Sequence, residues 1–310
     1  GNVLILDQDR NLSWYTPVAR MAPIKSLTYS PQDNSLIVLN EEKEIVDIDL
    51  ATRAVKWQKS ITSNGGPGGH SGVLPDINMA VDPRSGLLFV TGTFRGNVGI
   101  GRDALSSTDV DCIFLFSLDE TTGENAASRI FTSDSGMSSP QIAYNGANHS
   151  IELWANSSGD FSYPMNPNDT STGYNFLTKP NGADLAIFRL IVNPISLAVN
   201  LGDNFVASGT AGVKQLQVAG DFVYALGYYQ GNFSVDSEGR YIALSQANEI
   251  RPFLLQAFSE PKRIMGITTI DSPASGAILP ILFTPAANQG FEIIGSTSAA
   301  FDLSGATISA

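Results

Sequence analysis

Metal and thiol chemistry have little to work with in this sequence: its 310 residues carry one cysteine and two histidines. One cysteine cannot form an internal disulfide. Cys112 opens the apolar run Cys112-Ile-Phe-Leu-Phe116, where a small buried hydrophobe is the expected role. His70 and His149 stand far apart in turn-like contexts, which argues against a histidine-based metal centre or a Ser–His–Asp constellation. Charge is scarce as well. Charged residues make up 15% of the chain, against about 25% in ordinary soluble domains. Lys and Arg number 18 against 30 Asp and Glu, a net charge of −12. A phosphate backbone is repelled by such a chain, and no basic cluster offsets the repulsion. Nucleic acid and anionic membrane surfaces are therefore not expected partners. No apolar run approaches the ~18 residues of a spanning helix, so membrane insertion by this segment is not expected. The opening Gly1-Asn2-Val3-Leu4-Ile5 lacks a signal-peptide pattern and reads as the start of a mature or excised domain. Low charge with many Ser, Thr and Asn suits a secreted or surface-displayed β protein.

Helical periodicity is missing over any three turns. Short runs rich in Val, Ile, Phe, Tyr and Leu alternate with Gly, Pro, Asn and Asp clusters, which is the pattern of many short strands. The runs repeat. Gly92-Thr-Phe-Arg-Gly96-Asn-Val98 returns as Ala155-Asn-Ser-Ser-Gly159-Asp-Phe161, Gly227-Tyr-Tyr-Gln-Gly231-Asn-Phe233 and Gly295-Ser-Thr-Ser-Ala299-Ala-Phe301. The shared frame is small-x-x-x-small-x-apolar, at a spacing of roughly 70 residues, the scale of repeat architectures. A strand-then-turn signal precedes each copy, as in Met79-Ala-Val81-Asp-Pro83 and Ile142-Ala-Tyr144-Asn-Gly146.

Four strands per unit emerge from this spacing. The expected fold is all-β: one domain over 1–310, a five-bladed β-propeller of four-stranded antiparallel blades. The blades fall at about 23–61, 77–132, 139–202 and 213–270, with a fifth made from 277–310 plus 1–20. N-terminal strands c and d pair with C-terminal strands a and b, which closes the ring and hides its edges.

Phe89-Val-Thr-Gly-Thr-Phe-Arg-Gly-Asn-Val-Gly-Ile100, followed by Asp111-Cys-Ile-Phe-Leu-Phe-Ser-Leu-Asp119, resembles the SBBP-type bacterial β-propeller repeat. Asp184-Leu-Ala-Ile-Phe-Arg-Leu190 keeps the opening Asp of that pattern. The resemblance implies a propeller fold in a surface or secreted protein and brings no catalytic residues with it.

Several residues are candidates for chemistry. Asp103, Asp109 and Asp111 crowd one loop, and an oxygen-rich loop of this kind can hold Ca²⁺, although the spacing is not that of an EF-hand. No other cofactor is implied. Phe94, Tyr163, Tyr228 and Tyr229 fall in the b–c connections of different blades, as a sugar or protein contact surface or as packing between blades. The glycine-rich Ser63–Gly72 stretch lacks the Gly-Lys-Ser/Thr ending of a phosphate loop and reads as an inter-blade loop. Asn-x-Ser/Thr sequons stand at Asn11, Asn148, Asn156, Asn168 and Asn232, acceptors in a eukaryotic setting.

The expected function is that of a non-catalytic module outside the cell or at its surface. It would bind protein partners, copies of itself or glycans, as part of an adhesin, appendage or filament. One alternative is a lectin-like carbohydrate-binding propeller. The other is a glycoside hydrolase with a carboxylate pair in a central funnel.

Overall fold

The computed structural model describes residues 2–6, 12–17, 22–64, 76–107, 110–166, 169–177, 185–207, 209–220, 222–237, 240–258 and 264–269. The chain divides into two compact units, Gly1–Thr269 and Ile270–Ala310. The second lies outside the described residues, and with it the C-terminal half of the expected closing blade. The expected partner hairpin at the N-terminus is present: β1 (Asn2–Leu6) pairs antiparallel with β2 (Leu12–Pro17).

Four antiparallel meanders follow in chain order. The first is β3 (Ile24–Ser30), β4 (Ser35–Asn40), β5 (Glu44–Asp49) and β6 (Val55–Asn64). The second is β7 (Asn78–Asp82) and β8 (Leu87–Phe94), then an inserted hairpin of β9 (Asn97–Ile100) and β10 (Asp103–Ser106), then β11 (Cys112–Asp119) and β12 (Asn125–Ser133). The third repeats that plan: β13 (Met137–Asn145), β14 (Ser150–Ser157), the hairpin β15 (Phe161–Asn166) and β16 (Asp169–Leu177), β17 (Leu185–Val192) and β18 (Val199–Ala207). The fourth is β19 (Ala211–Ala219), β20 (Phe222–Ser237), β21 (Arg240–Phe258) and β22 (Ile264–Thr269). This is the strand order of propeller blades.

Turn chemistry explains where the strands break. Each described connection between third and fourth strands starts on Asp or Asn, whose side chain accepts backbone N–H groups. Asp49 Oδ1 takes Thr52 N at 2.6 Å, Asp119 Oδ1 takes Thr122 N at 2.9 Å, and Asn193 Oδ1 takes Ser196 N at 2.9 Å. A left-handed residue closes each of these turns: Arg53, Gly123 and Leu197, at φ of 64°, 67° and 54°. Asp and Asn favour this geometry because the short carbonyl arm mimics a turn of backbone.

Both faces of the middle strands are buried. Ile37, Leu39 and Ile45 pack with Leu88, Val90, Phe114 and Phe116 between the first and second meanders. Phe89, Leu115 and Phe131 meet Leu153, Phe161 and Phe188 between the second and third. Trp154, Ile187 and Phe205 meet Val223, Phe253 and Leu255 between the third and fourth. The remaining face of the first meander is buried too: Leu36, Val38, Val46 and Ile48 are 7%, 0%, 2% and 2% exposed. Alternation on a two-sided buried strand leaves no polar face, hence the near-continuous apolar runs.

The inserted hairpins are arms that reach back to the preceding meander. Strand β6 pairs with β5 over its first part and with β9 over Ile61–Asn64. Strand β12 pairs with β11 and then, at Thr132 and Ser133, with β15. In the fourth meander the arm is the far end of β20 and β21 itself, and Phe233, Ser234 and Val235 pair with Ala207, Val206 and Phe205 of β18. Each arm completes the outermost strand of a neighbour, the edge that would otherwise offer unpaired backbone groups.

The repeated sequence motif is the root of these arms. Its first small residue lies opposite a phenylalanine of the third strand in every described copy: Gly92 with Phe114, Ala155 with Phe188, Gly227 with Phe253. A side chain on Gly92 would meet the Phe114 ring at 2.7 Å. The last residue of the motif then packs beside that phenylalanine. The Phe161–Phe188 centroids are 5.0 Å apart and the Phe233–Phe253 centroids 4.7 Å, and Val98 joins the cluster of Phe114. Burying each of these rings contributes about 1.5–3 kcal/mol, so the motif anchors the arm by packing.

Candidate binding site between the first strands

The first strands of the four meanders stand side by side, β3 next to β7, β7 next to β13 and β13 next to β19. Between them lies an open cavity of about 420 Å³, within the roughly 300–1,000 Å³ of small-molecule sites. Thr28, Tyr29 and Pro31 line it from β3 and its turn, Met79 to Val81 and Pro83 from the second meander, Ile142 to Tyr144 from β13, and Leu216 to Val218 from β19. The lining holds aliphatic walls, two tyrosines, a threonine and an amide, and no charged side chain. Tyr29 is 50% exposed and Leu27, two residues before it on β3, is 57% exposed.

The turns that follow the first three of these strands are tied in series. Gln32 of the first turn abuts Gly86 of the second. Arg84 Nη1 donates to His149 Nδ1 of the third turn at 2.7 Å, and the Tyr144 hydroxyl lies 3.1 Å from the same nitrogen. His149 sits at φ 53° in its turn, the left-handed region that a turn-closing residue occupies. Asp82, at the start of the second turn, is 3% exposed and accepts from Arg84 N at 2.9 Å and Ser85 Oγ at 2.6 Å. Burial, followed by the neighbouring Asp82 carboxylate, pushes the Tyr144 hydroxyl up to about 12. It therefore stays protonated through the physiological range.

Two further polar clusters are buried away from the cavity. Glu152 on β14 accepts from Arg189 Nε and Nη2 at 2.9 Å each and from Trp154 Nε1 at 3.1 Å, with the guanidinium 5.8 Å from the Trp154 ring centre. At the seam of the first and second meanders, Ser30 Oγ donates to Glu120 Oε2 at 2.5 Å and Trp57 Nε1 donates to Glu120 O at 2.6 Å. Lys56 bonds Asp33 and lies 3.8 Å from Asp47. The next seam uses the same device as Trp57: Arg129 donates to the Leu197 carbonyl, in the corresponding turn of the third meander. Burial pulls Arg129 down to about 10 and pushes the Cys112 thiol up to about 11, the behaviour of an inert, buried thiol.

The residues singled out from sequence take different places. Phe94, Tyr163 and Tyr229 are 0%, 6% and 0% exposed, so they pack inside rather than present a surface. Tyr228 keeps partial exposure, with Lys214 Nζ 5.3 Å from its ring centre. Asp103 is exposed on the arm strand β10, and Asp111 pairs with Arg95 Nε at 3.0 Å. Asp109 lies outside the described residues, and no group of three His, Cys, Asp or Glu is placed for a metal among those described. Asn148 and Asn232 are exposed, and Asn156 is 3% exposed and shut off from any glycan. Asn11, Asn168, His70 and most of the glycine-rich stretch lie outside the described residues. Sequence reasoning did not find the pairing of Arg84 with His149. The signal that could have found it is the alignment of Asp82-Pro-Arg-Ser-Gly86 with Asn145-Gly-Ala-Asn-His149, two five-residue turns of one kind on adjacent strands.

No family model and no curated sequence matches the chain. Solved structures show distant likeness. U3-55K overlaps 82% of this chain at TM-score 0.39 and 11% identity, and this chain spans 66% of its length. BamB from Moraxella catarrhalis overlaps 87% of this chain and 90% of its own at TM-score 0.32 and 12% identity. The β-propeller domain of Myceliophteria thermophila Cps50 (Swd1) overlaps 81% and 98% at TM-score 0.29 and 12% identity.

Proposed function

We propose that the protein is a non-catalytic recognition module that acts outside the cell or at its surface, as part of an adhesin, appendage or filament. It is a five-bladed propeller of the SBBP-type kind, closed by pairing β1 and β2 with strands from 277–310. The observation that carries the functional reading is the neutral lining of the cavity. The hydroxyls of Thr28, Tyr29 and Tyr144 and the amide of Gln217, with no charged side chain among the lining residues, suit selective binding, because a few placed polar groups fix a ligand's orientation. The buried outer face of the first meander, Leu36, Val38, Val46 and Ile48, supports closure, since a fully buried apolar face requires a covering layer.

A hydrolysis screen on polysaccharides and nitrophenyl glycosides, run beside a binding screen on the same protein, tests the reading. Binding without turnover is expected; turnover abolished by replacing a single acid overturns it. Closure is tested by a chain cut after Thr269, which should lose its cooperative unfolding transition. An unchanged Tm would refute the closed ring. The carbohydrate-binding reading draws support from Tyr29, whose half-exposed ring in the cavity could stack on a sugar. Glycan-array signal that disappears in Tyr29→Ala would favour it.

A further inference from the structure

We propose that Lys56 and Asp33 become joined by an amide bond between their side chains, formed by the chain itself with Asp47 carrying the proton. Three segments bring the groups together: Asp33 lies in the turn between β3 and β4, Asp47 on β5 and Lys56 on β6. Lys56 Nζ donates to Asp33 Oδ2, which sets the amine beside the Cγ of that carboxyl. Asp47 Oδ2 lies 3.8 Å from the same nitrogen. The turn itself is held, since Asp33 N donates to Ser30 Oγ at 3.3 Å.

A bulge aims the amine. Asp47 pairs with Trp57 and Ile48 with Val55, so Lys56 is the extra residue of β6, and a bulge re-aims a side chain in this way. The second and third meanders repeat the bulge with Ala126 and Asn200. Register there matches Asp47 with Ser117 and Ile191, and the turns match Asp33 with Ser85 and Asn148. The scaffold is shared, and of these three meanders only the first sets an amine between two carboxyls.

The surroundings suit proton transfer. Asp47 is 0% exposed and stands opposite Ile37 on one side and Trp57 on the other. Burial strengthens its hold on the proton, with Ser35 and Lys56 pulling back. Burial works against the Lys56 ammonium too, but Asp33, Asp47 and Asp49 outweigh it, so the amine must pass a proton on before it attacks. That proton moves to the Asp33 carboxylate, and the nitrogen lone pair forms a bond to Cγ. Asp47 gives its proton to the departing oxygen and takes one from the nitrogen, and the C–O bond breaks with release of one water. Ammonium plus carboxylate give amide plus water, with no change of oxidation state. Holding the two groups together replaces a bimolecular encounter, an advantage of about 10⁵–10⁸ M in effective concentration when the alignment is good.

The test is the intact mass of the purified full chain, which should lie one water below the sequence mass. After trypsin, residues 26–43 should appear joined to residues 54–59. Lys56→Arg and Asp33→Ala should each show the full mass of their own sequence. Asp47→Asn should leave most chains unlinked, with the near-UV circular dichroism retained. The bond would stabilise the meander by itself, so the effect of the Asp47 charge on the urea midpoint is read in chains that all carry Lys56→Arg. A wild-type chain at its full sequence mass overturns the bond. A deficit of one water that persists in Lys56→Arg comes from dehydration elsewhere and overturns it as well. A bond that forms as completely in Asp47→Asn overturns the role of Asp47 and leaves the bond.

Discussion

Glu152 and Glu120 are both shut away from water, at 0% and 1% exposure, in opposite circumstances. Glu152 finds its counter-ion within its own sheet. Arg189 stands on the adjacent strand opposite Trp154, and both carboxylate oxygens are bonded. Glu120 sits at a seam and depends on a different meander, through Ser30. Its second oxygen has no hydrogen-bond partner among the described residues, and the buried Asp47 meets Lys56 only at 3.8 Å. Burial drives both Asp47 and Glu120 upward. Ser35 and Lys56 pull the first back, and Ser30 the second, while other carboxylates push further. One region answers a buried charge by strand register, and the other buries carboxyls whose hold on the proton is raised.

Breaking the paired region should have the largest effect. Arg189→Met strands a buried carboxylate and should destabilise the fold by about 3–5 kcal/mol, read from the urea midpoint; adding Glu152→Leu should recover most of the loss. The seam is next most sensitive at Gly123. A Cβ there would meet the Trp57 ring at 2.7 Å, at φ +67°, so Gly123→Ala should cost about 2–4 kcal/mol from strain and overpacking together.

Charge at the same seam should respond in the reverse direction. A carboxyl raised in the folded state holds its proton more tightly there. Its stabilisation is complete below the ordinary values of 3.8 and 4.5 and is lost as pH rises through the raised values. Asp47→Asn and Glu120→Gln should therefore raise the urea midpoint at pH 8 and lose that advantage near pH 3.5. A midpoint that falls at pH 8 would show that the ionised forms stabilise the seam. Smallest of all, Lys59→Ala breaks a pair whose Glu124 side chain is 67% exposed, and should leave the midpoint unchanged within error.

The strands and their turns were legible because Gly, Pro, Asn and Asp mark the breaks. The apolar run Cys112–Phe116 lies within β11, and Met79-Ala-Val81-Asp-Pro83 marks the end of β7. The arms were not legible. Asn97-Val-Gly-Ile100 and Asp103-Ala-Leu-Ser106 are four residues each, too short for a period-2 pattern to stand out from a loop. For the same reason the sequence left Phe94, Tyr163 and Tyr229 open between a contact surface and packing between blades; their burial decides for packing. The contact of Arg84 with His149 was not legible either, because it joins turns 65 residues apart.

The arms carry a consequence for how such a chain can grow or be cut. Each repeat is finished by its successor: the outer strand of one gains its last partners from the next. A repeat excised alone would keep its four strands and lose the tail pairing of the fourth. One inserted between two others would have to bring an arm that fits the strand before it and accept one that fits its own. The unit of inheritance in this chain is therefore offset from the unit of sequence repetition. It runs from one phenylalanine anchor to the next rather than from turn to turn.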